Sequence, residues 1–275
     1  MIIANDSFRY SLVFLVAQRE ALLSVRSKSV SIVFAVVALG AIALVGFSSK
    51  QVVNSGKDFN PHDVSVVVGL FMLVALSMSI MMSSPLLGAS MVDEKDNKVV
   101  EILLSSIRAD ELYLGKVFGH VIIGLFQLTA LWGITAVSSI LFGLSDFASF
   151  PWSRTFIVLL FMFPGYLVFT ALFGIAGAIV SRNEDYLAAQ LPILILFFVT
   201  LFVPFLPLIK IGSFESGWLP AVSWIPPLSM VATPVREIYI GEPNWVVVIS
   251  WILLLILSAF LFFLGALTFK KNILK

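Results

Sequence analysis

Cysteine is absent from this 275-residue chain, and charged side chains are scarce. Without cysteine there is no disulfide framework, no thiolate nucleophile and no cysteine-based metal site. Asp, Glu, Lys and Arg make up 12% of the residues, where a soluble domain has about 25%. The formal net charge is +1, so the chain has no polyelectrolyte character that would attract nucleic acid. These deficits exclude a disulfide-stapled secreted module, an ordinary cytosolic enzyme and a nucleic-acid partner.

The motifs of several enzyme classes are missing as well. The two histidines, His62 and His120, belong to no HExxH zinc motif, and no GxSxG serine elbow occurs. Gly115-Lys116 is followed by Val117 rather than by Ser or Thr, so the P-loop pattern is also absent. We therefore expect no catalytic residue, no metal site and no nucleotide site in this chain, and we expect His120 to cap or line one end of a span.

Apolar sequence is abundant: 60% of the residues are hydrophobic, and the mean hydropathy is +1.05. A helix needs about 20 apolar residues to cross the hydrocarbon core of a bilayer. Six runs free of Asp, Glu, Lys and Arg reach this length, at 29–49, 64–92, 117–145, 155–181, 186–209 and 243–269. They predict an all-α integral membrane protein with six transmembrane helices. Ser83-Ser84-Pro85 predicts a kink in the second span.

The basic residues indicate the orientation of these spans. With the N-terminus inside, twelve of the 17 Lys and Arg residues fall on the inner side and five on the outer side. The positive-inside rule then places both termini in the cytoplasm. The sequence thus predicts a multi-pass protein of the cell membrane with cytoplasmic N- and C-termini.

Two segments on the predicted inner side carry more information than ordinary loops. Residues 5–28 combine apolar residues near helical spacing with a basic excess, which predicts an amphipathic helix on the anionic inner leaflet. A solvated leader is the alternative. Residues 93–116 combine a charged cluster with an apolar run, which fits a short helix that meets another protein. A loop packed on its own chain fits equally well.

The segment 210–243, on the predicted outer side, holds five of the twelve prolines and yet is too apolar for a free loop. Broken or re-entrant helices that are shielded by protein satisfy both observations. Arg236 and Glu237 lie in this segment. They are either paired charges at membrane depth or a surface salt bridge at the outer rim.

Residues 91–119 resemble the cytoplasmic signature of type-2 ABC transporter permeases. In that family a charged cluster precedes a Glu-x-Leu-Leu run, a small-residue turn and a Leu-Gly-Lys entry into the third span. The residues that match this pattern are Glu94, Glu101, Leu103, Leu104, Ser105, Leu114, Gly115 and Lys116. Weaker similarities to the family occur at Arg19-Glu20 with Arg26 and Lys28, at 224–229 with Pro234 and Arg236, and at 269–274.

The resemblance implies one permease domain over 1–275, with an interfacial elbow helix at 5–28, a cytoplasmic coupling segment at 93–116 and an outer re-entrant segment at 210–243. Two permease subunits, identical or homologous, would pair in the lipid bilayer. Each would dock on a separate ABC ATPase subunit, and the ATPase would bind ATP and Mg while this chain binds no cofactor. The complex would move its substrate out of the cytoplasm.

The resemblance also implies roles for individual residues. Contact with the ATPase is expected from the coupling residues Glu94, Lys98, Val99, Val100, Glu101, Leu103, Leu104 and Ser105. An outer gate is expected from Trp224, Pro226, Pro227, Arg236 and Glu237. The substrate-binding residues stay open. The likeness is closest to the sodium-extrusion and multidrug-export branch, although many of its members have a large external domain where this chain has the short loop 48–63.

An ATP-independent secondary carrier or channel is the alternative function. Such proteins usually place charged groups inside the bilayer to bind the coupling ion. The six predicted spans contain none, which disfavours a proton-driven mechanism.

Overall fold

Helices form all the regular structure in the part of the chain that the computed structural model describes, which is residues 10–26, 28–55, 61–143, 151–209, 213, 215, 217–241 and 243–273. In these residues, five stretches are long and apolar enough to cross a membrane, at Val66–Asp96, Ala109–Leu141, Trp152–Ile179, Asn183–Pro207 and Asn244–Asn272. The predicted class, a multi-span helical membrane protein, is therefore confirmed.

The first two helices cover the predicted amphipathic segment and the first predicted span. Helix α1 is Tyr10–Arg26, while residues 5–9 and 27 of the predicted segment lie outside the described residues. Helix α2, Lys28–Ser55, has 28 residues and contains the predicted span 29–49. The described apolar part of α2 is Phe34–Phe47.

The second span is interrupted at the position where the sequence predicts a kink. Helix α3, Pro61–Ser83, ends two residues before the proline, and helix α4, Pro85–Asp96, begins with it. Proline has no backbone N–H, so one hydrogen bond of a continuous helix is lost at this point. A six-residue helix α5, Val99–Leu104, follows and leads into the third long helix, α6, Ala109–Leu141.

The second half of the chain contains three long helices and a broken segment. Helix α7 is Trp152–Ile179, and α8 is Asn183–Phe202 with a 3-10 turn, Val203–Ile209, after it. The predicted broken segment forms two short helices, α9, Leu219–Val222, and α10, Ser229–Tyr239. Residues 210–212, 214, 216 and 242 of that segment lie outside the described residues. Helix α11, Asn244–Ile273, comes last.

Helix α7 lies at the centre of the packing. It contacts α3, α4, α10 and α11, and its buried side chains include Phe161 and Phe169. The ring of Phe169 meets that of Phe197 of α8 edge to face, with 5.1 Å between centroids. By contrast, α8 and α11 expose large apolar side chains such as Ile195 and Phe260. Such faces are suited to contact with lipid or with another membrane helix.

Small residues allow α4 and α7 to approach each other closely. Gly88 of α4 and Gly177 of α7 meet where the helices cross, and a Cβ added to Gly177 would lie 2.5 Å from the Cα of Gly88. Small residues at helix contacts permit this kind of backbone approach in membranes. In α6, by contrast, a Cβ on Gly133 would have no neighbour within 4 Å.

Replacing Gly177 with Ala is expected to destabilise the protein by about 2 kcal/mol, because the added methyl group must push α4 and α7 apart. The thermal unfolding midpoint of the purified protein in detergent measures the effect. Gly133→Ala is the matched control and is expected to change stability by less than about 1 kcal/mol, in the stabilising direction. Equal midpoints for the two variants would contradict the close contact at Gly177.

Candidate functional site

The turn between α4 and α6 presents α5 at one end of the helical bundle, named here the α5 end. After α4, Lys98 has a φ of 56°, a left-handed conformation that costs a residue with a side chain about 1–2 kcal/mol. The side chain of Asn97 donates from Nδ2 to the carbonyl of Asp93 at 2.9 Å. At the start of α6 the Glu111 carboxylate accepts from the backbone N–H of Arg108 at 3.2 Å. Local hydrogen bonds therefore accompany the end of α4 and the start of α6.

One face of α5 is attached to the bundle and the other is exposed. Val100 is buried in an apolar cluster with Leu87 and Leu112, and Leu103 and Leu104 pack against the same cluster. On the open face lie Lys98, Glu101, Ile102 and Ser105, and the side chain of Ile102 is 73% exposed. An exposed isoleucine beside charged groups is typical of a surface that another protein can cover.

A buried lysine joins three helices directly behind α5. Lys116 of α6 has a side chain that is 1% exposed, and its Nζ lies 3.1 Å from Glu20 Oε1 of α1 and 3.1 Å from Glu94 Oε2 of α4. The hydroxyl of Ser90 is 3.4 Å from the same nitrogen. A buried ammonium group without a counter-charge is strongly unfavourable, so the lysine needs both carboxylates within contact distance.

Arg19 completes this group of charges. Its Nη1 lies 3.3 Å from Glu94 Oε1 and 3.7 Å from Glu20 Oε1, at the more exposed side of the group. Two basic and two acidic side chains thus balance each other, and we name Arg19, Glu20, Glu94 and Lys116 the ionic cluster. It ties α1, α4 and α6 together at the α5 end.

A second polar group surrounds the break between α3 and α4. The ring of His120 donates from Nε2 to the carbonyl of Ser83 at 3.2 Å, and the Tyr166 hydroxyl donates to the carbonyl of His120 at 3.0 Å. The hydroxyl of Thr170 donates to Ser84 Oγ at 3.1 Å. These contacts supply hydrogen-bond partners to polar atoms that the apolar bundle would otherwise leave unpaired.

Helix α10 lies among the spans rather than on their surface. Arg236 is 7% exposed, and its Nη1 is 3.4 Å from the hydroxyl oxygen of Ser223. The carbonyl of Ser223 also accepts hydrogen bonds from Thr233 and Ser250, at 3.3 and 2.9 Å. The Trp224 ring packs near that of Trp245 of α11, with 5.6 Å between centroids. Protein therefore shields the irregular backbone between α9 and α10.

The predicted site residues fall into two separate groups. Those of the coupling set lie on or next to α5, except that Glu94 points into the ionic cluster with a side chain only 11% exposed. The gate set lies around α9 and α10, and α10 packs on α3, α7 and α11. Pro226 and Pro227 form the turn between the two short helices, and Glu237 is partly buried. Among the described residues, no three His, Asp or Glu side chains form a group that could hold a metal ion.

Sequence reasoning missed the pairing of Lys116 with Glu20. The available signal was a lysine enclosed by apolar residues eight positions into a membrane helix, which requires an acidic partner somewhere in the bundle. The partner itself lies 96 positions away along the chain. No local pattern identifies a partner at that separation.

Comparison with known proteins gives a family match over most of the chain. A model described as "ABC-2 family transporter protein" matches residues 45–267. The chain is 24% identical over 268 residues to the uncharacterized protein YhaP of Bacillus subtilis (strain 168), and 25% identical over 204 residues to the uncharacterized protein MJ1024 of Methanocaldococcus jannaschii. These similarities cover 92% and 72% of this chain but only 60% and 49% of the two relatives.

Replacing Lys116 with Met is expected to destabilise the protein by about 3–5 kcal/mol, because the buried carboxylates of Glu20 and Glu94 lose their common partner. Thermal unfolding in detergent measures the loss. The double variant Lys116→Met/Glu20→Gln should recover part of it, since Glu94 then keeps Arg19 as a counter-charge.

The matched control is Lys271→Met, which removes an exposed lysine of α11 and should alter stability by no more than about 0.5 kcal/mol. If Lys116→Met cost no more than this control, the ionic cluster would not have the role assigned to it.

Proposed function

This chain belongs to the ABC-2 transporter family, and on that premise we propose that it is the permease subunit of an ATP-driven exporter. In this proposal a separate ABC ATPase subunit binds and hydrolyses ATP, and this chain forms the path for the substrate. The chain itself makes and breaks no covalent bond. Because it spans only about half to three fifths of its two relatives, the activity and partners are proposed for this chain and not transferred from them.

The conformation of α5 supports this proposal most strongly. A short helix is attached through Val100 and Leu104 to the apolar cluster, while Glu101 and Ile102 face away from the bundle. A partner that moves on binding ATP can push on such a helix without first unfolding it. We therefore propose that α5 is the coupling helix and that Lys98, Glu101, Ile102 and Ser105 are the residues that touch the ATPase.

Glu94 has a different proposed role from the exposed coupling residues. Its carboxylate is held by Lys116 and Arg19, so it acts by fixing the direction of α4, which leads to α5. In this proposal Glu94 positions the coupling helix rather than binding the ATPase directly. Val100, Leu103 and Leu104 anchor the helix from the bundle side, and the half-buried Val99 is its first residue.

The orientation and assembly complete the proposal. The excess of Lys and Arg at the α5 end favours a cytoplasmic location for that end and for both termini in the cell membrane. A second permease, identical or homologous, would cover part of the exposed apolar faces of α8 and α11, and two ATPase subunits would bind the pair. Residues around the α9–α10 turn, among them Trp224, Arg236 and Glu237, would form the outer gate through which substrate leaves.

Glu101→Arg tests this function at the proposed contact. Reversing one charge at the contact surface should weaken copurification of the cognate ABC ATPase about tenfold or more, because a complementary pair becomes a repulsive one. The amount of ATPase retained by the affinity-tagged permease, purified from membranes, measures this.

Glu215→Arg is the matched control, because it reverses an exposed glutamate in the segment that leads to α9. It should retain the ATPase fully. If the ATPase bound equally well to both variants, α5 would not be the contact. If no ABC ATPase bound the native chain, and that chain alone gave ATP-independent flux in proteoliposomes, a carrier or channel would replace the proposed permease.

A further inference from the structure

The last turn of α7 has carbonyl groups that the helix itself does not pair. An α-helix leaves its final carbonyls without intrahelical donors. Here the backbone N–H of Val180 bonds back to Ala176 at 3.2 Å, which leaves the later carbonyls in need of other donors. These carbonyls lie at the α5 end of the bundle, beside the last turn of α4.

Lys95 of α4 supplies those donors. Its Nζ lies 2.9 Å from the carbonyl oxygen of Gly177, 2.6 Å from that of Ala178 and 3.0 Å from that of Val180. An ammonium group has three N–H donors, and here three acceptors meet it. Its positive charge also lies at the negative end of the α7 dipole, where a cation is favourable. We name these contacts the Lys95 clamp.

Three further contacts attach α4 to the same part of the molecule. Gly88 and Gly177 bring the two backbones together. Beyond α7, the side chain of Asn183 donates from Nδ2 to Asp93 Oδ1 at 2.7 Å, and the Tyr186 hydroxyl donates to the carbonyl of Pro85 at 2.8 Å. Helix α4 is therefore held along its length by α7 and by the start of α8.

The connection of α4 to α1 and α6 is of a different kind. Helix α4 packs extensively on α7 but makes few contacts with α6. Across this second boundary lie the ion pairs of Glu94 with Lys116 and Arg19, together with the buried apolar cluster that contains Leu87 of α4 and Leu112 of α6. On its far side, α1 packs closely on α6, since a Cβ on Gly119 would meet the backbone of Ala17. Contact between the backbones of α4 and α7 resists relative movement more than these side-chain contacts do, so relative movement is easier at the boundary of α4 with α6.

We infer that Lys95 is a positioning residue that makes α4 and α7 one mechanical arm, so that a displacement of α5 is delivered to α7. The inference rests on the proposed function, since it assumes that an ATPase moves α5. A lysine that only caps α7 would contribute stability without affecting how α4 and α7 move together. The distinction can be measured as distances within the arm and across its boundary.

The chain has no cysteine, so pairs of introduced cysteines can carry spin labels without any background. Asn97→Cys with Ser181→Cys reports the distance between the end of α4 and the residues after α7. Asn97→Cys with Gln18→Cys reports the distance between α4 and α1. All three positions are exposed. Pulsed electron–electron double resonance measures both distances on the permease–ATPase complex, with and without a non-hydrolysable ATP analogue and Mg.

In the native background, the nucleotide should shift the 97–18 distance and leave the 97–181 distance unchanged. In Lys95→Met, the 97–181 distance distribution should broaden without nucleotide and should shift when nucleotide binds. Lys95→Arg keeps a positively charged side chain with several N–H donors, so it should restore the native behaviour.

A 97–181 distance that shifts with nucleotide while Lys95 is intact would overturn the inference, and this result does not depend on a substitution at Lys95. A 97–181 distribution in Lys95→Met that matches the native one in both states would overturn it as well. If the ATPase does not bind, the proposed function fails, whereas the broadening in nucleotide-free Lys95→Met still tests the clamp.

Discussion

A buried positive charge in an apolar helical bundle constrains much of this structure. Lys116 is 1% exposed, and an ammonium group at such a position requires carboxylates within contact distance. Glu20 and Glu94 satisfy that requirement from two other helices, so α1 and α4 are each linked to α6 through Lys116. Because α5 follows α4 after a two-residue turn, the direction of α5 depends on the same charges. The surface that we propose for the ATPase is thus set by a charge pairing beneath it.

Helix α7 is in contact with both candidate regions. At its C-terminal end it accepts hydrogen bonds from Lys95 of α4. Nearer its middle, Gly165 faces the side chain of Met230 in α10, and the Leu160 carbonyl accepts a hydrogen bond from Trp251 of α11 at 2.9 Å. Movement of α7 would therefore displace α10. In the proposed exporter this connects the site of ATP-driven displacement with the outer gate by direct packing.

Local sequence patterns predicted the elements of this fold but not their pairing. In the described residues, charge-free runs located five long apolar helices of the six predicted spans, and the first predicted span shows only the shorter apolar helix Phe34–Phe47. Pro85 located the break between α3 and α4, and the clustered prolines located the broken helices. The charge-free run of the third span begins at 117, whereas helix α6 begins at Ala109, next to Asp110, and includes Lys116. Lys116 is tolerated inside the helix because its partners come from α1 and α4. Contacts between distant parts of the chain, including the Lys95 clamp, arise only from tertiary packing.

The central claim is that α5 is the part of this chain that touches an ATPase. Since the chain lacks cysteine, Ile102→Cys provides one thiol on the exposed face of α5, and Ile225→Cys provides one between α9 and α10, where the isoleucine is 49% exposed. A thiol-directed photo-cross-linker applied to membranes containing the complex should join the ATPase to the permease from position 102 and not from position 225. A cross-link from position 225, or none from position 102 in a complex that still copurifies, would contradict the claim.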